Sequence, residues 1–460
     1  MKILTSKLVI ALSLISGGTL TSLADTFTVD GLQYQTISDN TVKVTKYFDG
    51  ENVVIPSTVT DGDTQVTYTV VSVAPYAFRN AAAKTITVAG TVEDIESNAF
   101  ARCQATTITL EDGVKNIGYG AFSNCSRLQN VSLPNSLKIL GGYYDLIGFS
   151  GSAFAFCPQL KEIDIPGSVE TIPMLTFQEC TSLAKVTIGE GITTIDERAF
   201  EKCTRITSIS FPSTLTTMNR GAFMSTGLES LKVPGAIKEI PNSAFLWCYS
   251  LMDFEIEEGV EIIGRQSFAD CGSYTTVKVP NSVTHINTDA FQGNGGVETI
   301  HIGSGIVAIG HSALAVWAPD QATNTPHWAL TDIYIDAVNP PDYDYEEEHL
   351  DELNPDLFFG EASFPEELRQ EFFKTVKLHV PAESAEAYRD HYIWGQFAYI
   401  NGTSAIDSIT SETSDSVVDI YTITGVKVGS ATESTIDIRS LDSGIYILRS
   451  ANKAKKIMVK

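Results

Sequence analysis

One aromatic position recurs through the middle of the chain: Phe78, Phe100, Phe122, Phe154, Phe177, Phe200, Phe223, Phe245, Phe268 and Phe291, with Leu314 at the next step. The intervals are 22, 22, 32, 23, 23, 23, 22, 23, 23 and 23 residues, so one short unit is copied repeatedly and a single insertion interrupts it after Phe122. Self-similarity at such a period marks a solenoid, because one unit cannot bury its apolar face alone and must stack on the next. A stack of coils offers a long repeated surface and little of the enclosed pocket that catalysis requires.

Aligned on the Phe, each unit carries an alternating tetrapeptide with two inward apolar residues, as in Thr85-Ile86-Thr87-Val88, Glu162-Ile163-Asp164-Ile165 and Thr276-Val277-Lys278-Val279. Such alternation predicts a short strand. Copies running in one direction pair as a parallel sheet with neighbours about 4.8 Å apart. Pro or Gly follows the strand (Leu133-Pro134, Ile188-Gly189, Val279-Pro280), where the chain must turn. A second apolar pair, such as Ile192/Ile195 or Val283/Ile286, fills the opposite wall. The residue before the Phe is almost always small (Ala77, Ala99, Ala121, Ala199), which predicts a tight backbone bend at that point.

All seven cysteines (Cys103, Cys125, Cys157, Cys180, Cys203, Cys248, Cys271) lie three residues after a repeat Phe. An odd number spaced by coil length is not a disulfide framework, so the column reads as a ladder of small buried thiols. Neighbouring coils keep bridging distance within reach, so oxidised pairs stay open in an exported protein. No C-x-x-C pair suggests a metal, and no His recurs beside the column to activate a nucleophile.

The text "GAFSNCSRLQNVSLPNSLKIL" and "RAFEKCTRITSISFPSTLTTM" resembles the BspA-like branch of bacterial leucine-rich repeats over roughly residues 70–400. Near its end, Leu378-His379-Val380-Pro381, Ala385-Glu386-Ala387-Tyr388 and Trp394-Gly395-Gln396-Phe397 look like the closing segment of that family, which would cover the last open coil. The fold expected is mainly β: a leucine-rich-repeat solenoid with a parallel sheet on one face, a β cap over residues 25–70, and a small C-terminal β-sandwich domain. The solenoid spans 71–400, with insertions near 141–151, 315–330 and 339–372.

Residues 1–24 read as a secretory signal peptide: Lys2 and Lys7, an apolar run from Leu8 to Ile15, and Ser22-Leu23-Ala24 before the cut. No other stretch approaches the run of about 20 apolar residues that spans a bilayer. Residues 401–414 are a Ser/Thr-rich linker. Residues 415–460 form a separate β unit whose order "IYTITGVKV…TIDIRSLDSGIYILRS…KKIMVK" resembles the type A C-terminal sorting domain of the type IX secretion system. Gly425, Gly444, Tyr446 and Lys456 carry that motif, and the resemblance implies engagement of the secretion machinery and a secreted or surface-attached product. Ser408 and Ser416, in Asp-Ser-apolar triplets, are candidate O-glycosylation sites.

Loss of the leader removes two lysines and takes the net charge from −25 to −27, a surface that repels nucleic acid and anionic lipid. The run Asp342-Tyr343-Asp344-Tyr345-Glu346-Glu347-Glu348 lacks glycine-spaced ligand geometry and reads as a solvated acidic flap rather than a Ca²⁺ loop. The seven histidines are scattered, and no phosphate loop, H-E-x-x-H or G-x-S-x-G occurs. No cofactor, metal or catalytic set is called for. Two outward columns end in Lys278, His301, Tyr334 and in Thr276, Thr299, Asp332, with Tyr334 as their one aromatic. Tyr143, Tyr144 and Phe149 in the first insertion, and Trp317, His327 and Trp328 in the second, complete the candidate contacts. The family resemblance implies adhesion or binding to host or bacterial surface proteins without catalysis; glycan capture by the insertion aromatics is the alternative.

Overall fold

The computed structural model describes residues 25–142, 151–272, 274–319, 325–344, 356–359 and 364–403, and the backbone of four strands between 418 and 459. The predicted leader, residues 1–24, lies outside the described residues.

The repeat alternation forms strands. In Thr85–Val88, Ile86 and Val88 point inward and are fully covered, while the two threonines face out. Pairing with the next coil is parallel and residue for residue, Ile86 opposite Ile108 and Val88 opposite Leu110. This front sheet comes in four pieces. The first contains Asn52–Ile55, Thr85–Val88, Thr107–Leu110 and Asn130–Ser132; the second Glu162–Ile165 and Lys185–Ile188; the third Ser230–Val233 and Asp253–Ile256. The fourth contains Thr276–Val279, Thr299–Ile302, Asp332–Ile335, Lys377–Pro381 and Tyr399–Thr403. One break falls at the insertion after Asn130–Ser132. The other two flank coils with an inward aromatic where other coils have Ile, Val or Leu: Phe211, edge-on to Phe223 at 5.6 Å, and Phe254, 4.9 Å from Phe268. A ring needs more room than an aliphatic side chain there, and Ser208–Phe211, which occupies the place of the repeat tetrapeptide, is irregular.

The opposite wall is also a parallel sheet, made of two-residue strands such as Thr171–Ile172, Thr194–Ile195 and Thr217–Met218. Its last strand is Asp342–Asp344, paired with Ala308–Gly310, so the acidic run begins as structure rather than as flap. Tyr343 is buried there, its hydroxyl 3.1 Å from His311 Nδ1. Asp356 accepts the N–H groups of Phe358 (3.0 Å) and Phe359 (2.9 Å) and pairs with Arg369 at 2.6 Å. Residues 345–355 lie outside the described residues.

On the third side the ten Phe rings form one file from Phe78 to Phe291, with successive centroids 4.8 to 5.9 Å apart and planes within 25°. Each Phe N–H reaches the following coil's carbonyl just before its own Phe, for example Phe78 to Ala99 (2.7 Å) and Phe200 to Ala222 (2.9 Å). The backbone bends fall two residues before and two after the Phe, not at the small residue preceding it. Leu175, Arg198 and Ser243 on one side, and Glu179, Lys202 and Trp247 on the other, all have φ between 53° and 63°. The preceding alanine is small because it is buried beside the ring file, as Ala99, Ala121 and Ala199 are.

The cysteines are free and buried, and all but Cys103 act as hydrogen-bond donors to a Phe carbonyl. The Cys125 thiol donates to the Phe100 carbonyl (3.1 Å), Cys180 to Phe154 (3.2 Å), Cys203 to Phe177 (3.1 Å) and Cys271 to Phe245 (2.9 Å). Asn294 stands in the same column and its Nδ2 serves Phe268 (2.9 Å) as well as Phe291 (2.7 Å). The column therefore adds a side-chain donor to these buried carbonyls, three of which also accept a backbone N–H: Phe100 from Cys103 (3.0 Å), Phe177 from Cys180 (3.1 Å) and Phe245 from Cys248 (3.2 Å). Burial pushes the Cys103 thiol up to about 12 and raises Cys203 as well, so both stay protonated.

Both ends of the ring file are covered. Tyr47, from the antiparallel meander Thr26–Val29, Leu32–Thr36 and Thr41–Tyr47, lies 5.5 Å from Phe78. At the far end, the helix Glu366–Thr375 and the closing segment bring Phe358, Phe359, Phe372, Phe373, Trp394 and Phe397 into one aromatic cluster. Tyr388 and Trp394 tie it down by bonds to the carbonyls of Ala337 (2.9 Å) and Pro341 (2.8 Å). Farther along, Lys427–Ala431, Val418–Thr422, Gly444–Arg449 and Ala454–Val459 form, in that order, one antiparallel sheet.

Phe177→Ala should cost about 3–5 kcal/mol and Phe177→Leu much less, since Leu314 already fills the same position; urea unfolding checks both, and equal effects would contradict the ring file. Asn294→Ala strands two carbonyls and should cost about 1–3 kcal/mol in the same assay, whereas a neutral result would deny the donor column its role.

Candidate binding face

A parallel sheet holds equivalent residues one strand spacing apart, so flat side chains in one outward column are driven to stack. That occurs on the five-strand piece. Lys278, His301, Tyr334 and His379 are register partners on successive strands. The His301 and Tyr334 rings lie 4.4 Å apart at 3°, and Tyr334 and His379 4.4 Å apart at 10°. The ring faces cover one another, and what meets solvent is the edges. Tyr399 ends the neighbouring column, exposed and tilted 66° to His379 at 6.3 Å.

That neighbouring column reads Thr276, Thr299, Asp332, Lys377, Tyr399. The Thr276 and Thr299 hydroxyls are 3.1 Å apart, and His379 Nε2 lies 2.7 Å from Asp332 Oδ1. Burial alone would raise the Asp332 carboxyl, but hydrogen bonds from His379 and Thr331 outweigh it and hold the group below the ordinary carboxylate value. His301 is held below the ordinary imidazole value, first by burial and then by the Lys278 charge. Earlier on the sheet the lysines are committed to carboxylates one coil away: Lys185 to Glu162 (3.6 Å), Lys232 to Glu255 (3.1 Å) and Glu257 (2.9 Å). Lys278 and Lys377 make no ion pair with a described residue.

Of the expected contact residues, Tyr334 lies at the centre of this row. Trp317 and Trp328 are half-buried against the C-terminal cap. Trp317 donates Nε1–H to the Phe359 carbonyl (3.1 Å) with its ring edge-on to Phe364, and Trp328 sits edge-on to Phe372 at 5.5 Å. His327 is exposed in a short antiparallel pair with Ala318. Tyr143, Tyr144, Phe149, Ser408, Ser416 and Gly425 lie outside the described residues. Gly444, Tyr446 and Lys456 fall in the C-terminal strands, opposite Val459, Ile457 and Ile447. Sequence reasoning missed His379 and Tyr399 as members of the face. The signal was present, since Lys377-Leu378-His379-Val380-Pro381 is one more alternating tetrapeptide closed by Pro.

One other place gathers carboxylates. Asp94 and Glu96 line a depression of about 350 Å³ on the opposite wall, with burial raising the Glu96 carboxyl. Asp94 is bonded to Asn116 Nδ2 at 2.5 Å, and no His or Cys lines the depression. No helix among the described residues is long and apolar enough to cross a membrane.

Both depressed groups favour the folded state at higher pH. The contribution of His301 is complete above the unfolded imidazole value near 6.5 and declines as pH falls below it; that of Asp332 is complete above about 3.9 and is lost below that. Protection of the Ile300, Ile333 and Leu378 amides, measured against the exchange of the unfolded chain at each pH, should therefore fall in two steps on acidification, and His301→Gln should remove the upper step. An upper step that survives this substitution would contradict the assignment.

Residues 62–144, 145–252 and 238–319 match the BspA type Leucine rich repeat region, in 6 copies. No curated protein matches the chain. Among solved structures, a leucine-rich repeat protein from Bacteroides ovatus is 22% identical, covering 67% of this chain and 94% of that one, with a TM-score of 0.42. A leucine rich cell surface protein from Faecalibacterium prausnitzii is 24% identical over 72% of this chain and 98% of that one (TM-score 0.40). The pneumococcal vaccine antigen PcpA is 19% identical over 84% and 100% (TM-score 0.44). The repeat match extends over more than half of the sequence and coincides with the stacked coils, and the chain belongs to the BspA-type leucine-rich-repeat family.

Proposed function

We propose that this is a secreted or surface-displayed protein that binds a protein on host or bacterial surfaces through the outward face of its front sheet and carries out no chemistry. The observation that carries the reading is the row Lys278, His301, Tyr334, His379 beside exposed Tyr399, a cluster of rings and cations on a face otherwise made of hydroxyls and paired charges. Rigid aromatic side chains on a flat scaffold suit a binding hot spot, because little conformational entropy is lost on contact. Tyr143, Tyr144 and Phe149, with the solvent-facing parts of Trp317 and Trp328, would add contacts from the insertions. Export is assigned to the leader at residues 1–24, and engagement of a type IX secretion system to a sorting domain of β-sandwich type at 415–460. Ser408 and Ser416 would carry glycans on the linker between.

The test is capture of host-matrix extract by the immobilised exported chain. Protease treatment of the extract should abolish capture and glycosidase treatment should leave it. Tyr334→Ala with Tyr399→Ala should weaken it by about tenfold or more. Capture that survives protease treatment, or that ignores both substitutions, would refute binding of protein by this face.

A further inference from the structure

The ring row differs from an aromatic platform in one respect that decides its ligand. Sugar recognition by aromatic residues uses the ring face, and here the faces of Tyr334 are closed by His301 on one side and His379 on the other, each 4.4 Å away. The edge of an aromatic ring carries the positive part of its quadrupole, and imidazole edges add N–H donors. Lys278 prolongs the row at one end, and Lys377 stands in the adjacent column. Asp332 beside the row is engaged by His379 Nε2 at 2.7 Å, which leaves the Lys278 and Lys377 charges to face a ligand within a chain of net charge −25. We infer that the row Lys278, His301, Tyr334 and His379 docks carboxylate side chains of an acidic segment of a protein partner, and docks them more tightly as the medium acidifies.

The inference rests on the protein-binding reading above and names the chemistry of the partner. His301 is the titrating element, and its surroundings are known from both sides. Lys278 on the preceding strand opposes its protonation, as does His379 two strands on; Asp332 and Asp336 favour it, and burial weighs against the charged form. The free protein therefore keeps His301 neutral. A ligand carboxylate arriving at the strip supplies the opposite charge that Lys278 withholds, so ligand binding and proton uptake reinforce each other by the same factor. Glutamate side chains, ordinarily near 4.3, remain ionised while imidazole gains its proton. Long-range repulsion by the acidic surface is screened beyond about 8 Å at physiological salt, so the local strip decides the contact.

The experiment measures binding of a Glu-rich peptide, its Gln-rich counterpart and polysialic acid to the intact exported chain at about pH 7.5 and about pH 5.5, values that bracket the ordinary imidazole pKa. The Glu peptide should bind, the Gln peptide should not, and affinity should rise about fivefold or more at the lower pH. His301→Phe keeps a stacking ring and should abolish the rise; Lys278→Gln should weaken binding at both pH values. Equal binding of the two peptides, a rise that persists in His301→Phe, or binding of polysialic acid in place of the Glu peptide would overturn the inference. Matrix-protein capture without Glu-peptide binding would overturn this inference alone, whereas loss of both would also overturn the broader reading.

Discussion

The structure depends on coil-to-coil register at the repeat Phe. Three interactions meet there: the ring stacks on the next ring, the Phe N–H reaches the next coil's carbonyl, and the Phe carbonyl receives a thiol or amide from three residues past the next Phe. Each constrains the same coil-to-coil alignment, so none can be kept while another slips. A slip of one residue would turn every strand's inward pair out to solvent, which the continuous apolar interior forbids. The donor column also explains why a cysteine recurs in a core that an alanine would fill. An aliphatic residue of that size would remove a side-chain donor from buried carbonyls such as Phe100 and Phe177, leaving each with its backbone N–H alone.

The same constraint creates the candidate face. Strand spacing that sets phenylalanines face to face inside sets His301, Tyr334 and His379 face to face outside. Inside, the stack contributes stability; outside, it presents polar edges and withholds ring faces. Because the two sides of a strand alternate, the outward column can change coil by coil without disturbing the interior. That is consistent with a face that is hydroxyl-rich in the early coils, salt-bridged between Glu162 and Glu257, and aromatic at the end. Where an aromatic sits inward on the strand, at Phe211 and Phe254, the sheet is interrupted, so the interior also punctuates the face.

Period, most strand positions, burial of the apolar pairs and the cysteine column were legible, because a repeat reports its environment many times over. What escaped were features set by neighbours rather than by the unit. The bends at Leu175 and Lys202 were invisible because almost any residue occupies those positions, at a cost of roughly 1–2 kcal/mol per non-glycine residue in that conformation. The donor role of the thiols was missed because a small buried Cys reads as a hydrophobe. Tyr343 within the acidic run reads as part of a flap, although its neighbours alternate as the strand they form. His379 reads as part of a closing segment and Tyr399 carries no signal of its own, yet their strands continue the front sheet in register with Asp332–Ile335 and so complete the ring row.

Amide hydrogen exchange at residue resolution tests the central claim most directly. The account predicts a periodic pattern, with the slowest amides at Phe100, Phe122, Phe154, Phe177, Phe200 and Phe223, each bonded to the next coil, recurring at the repeat interval through Phe291. Protection without that period, or confined to one end of the array, would contradict a fold held by register between successive coils.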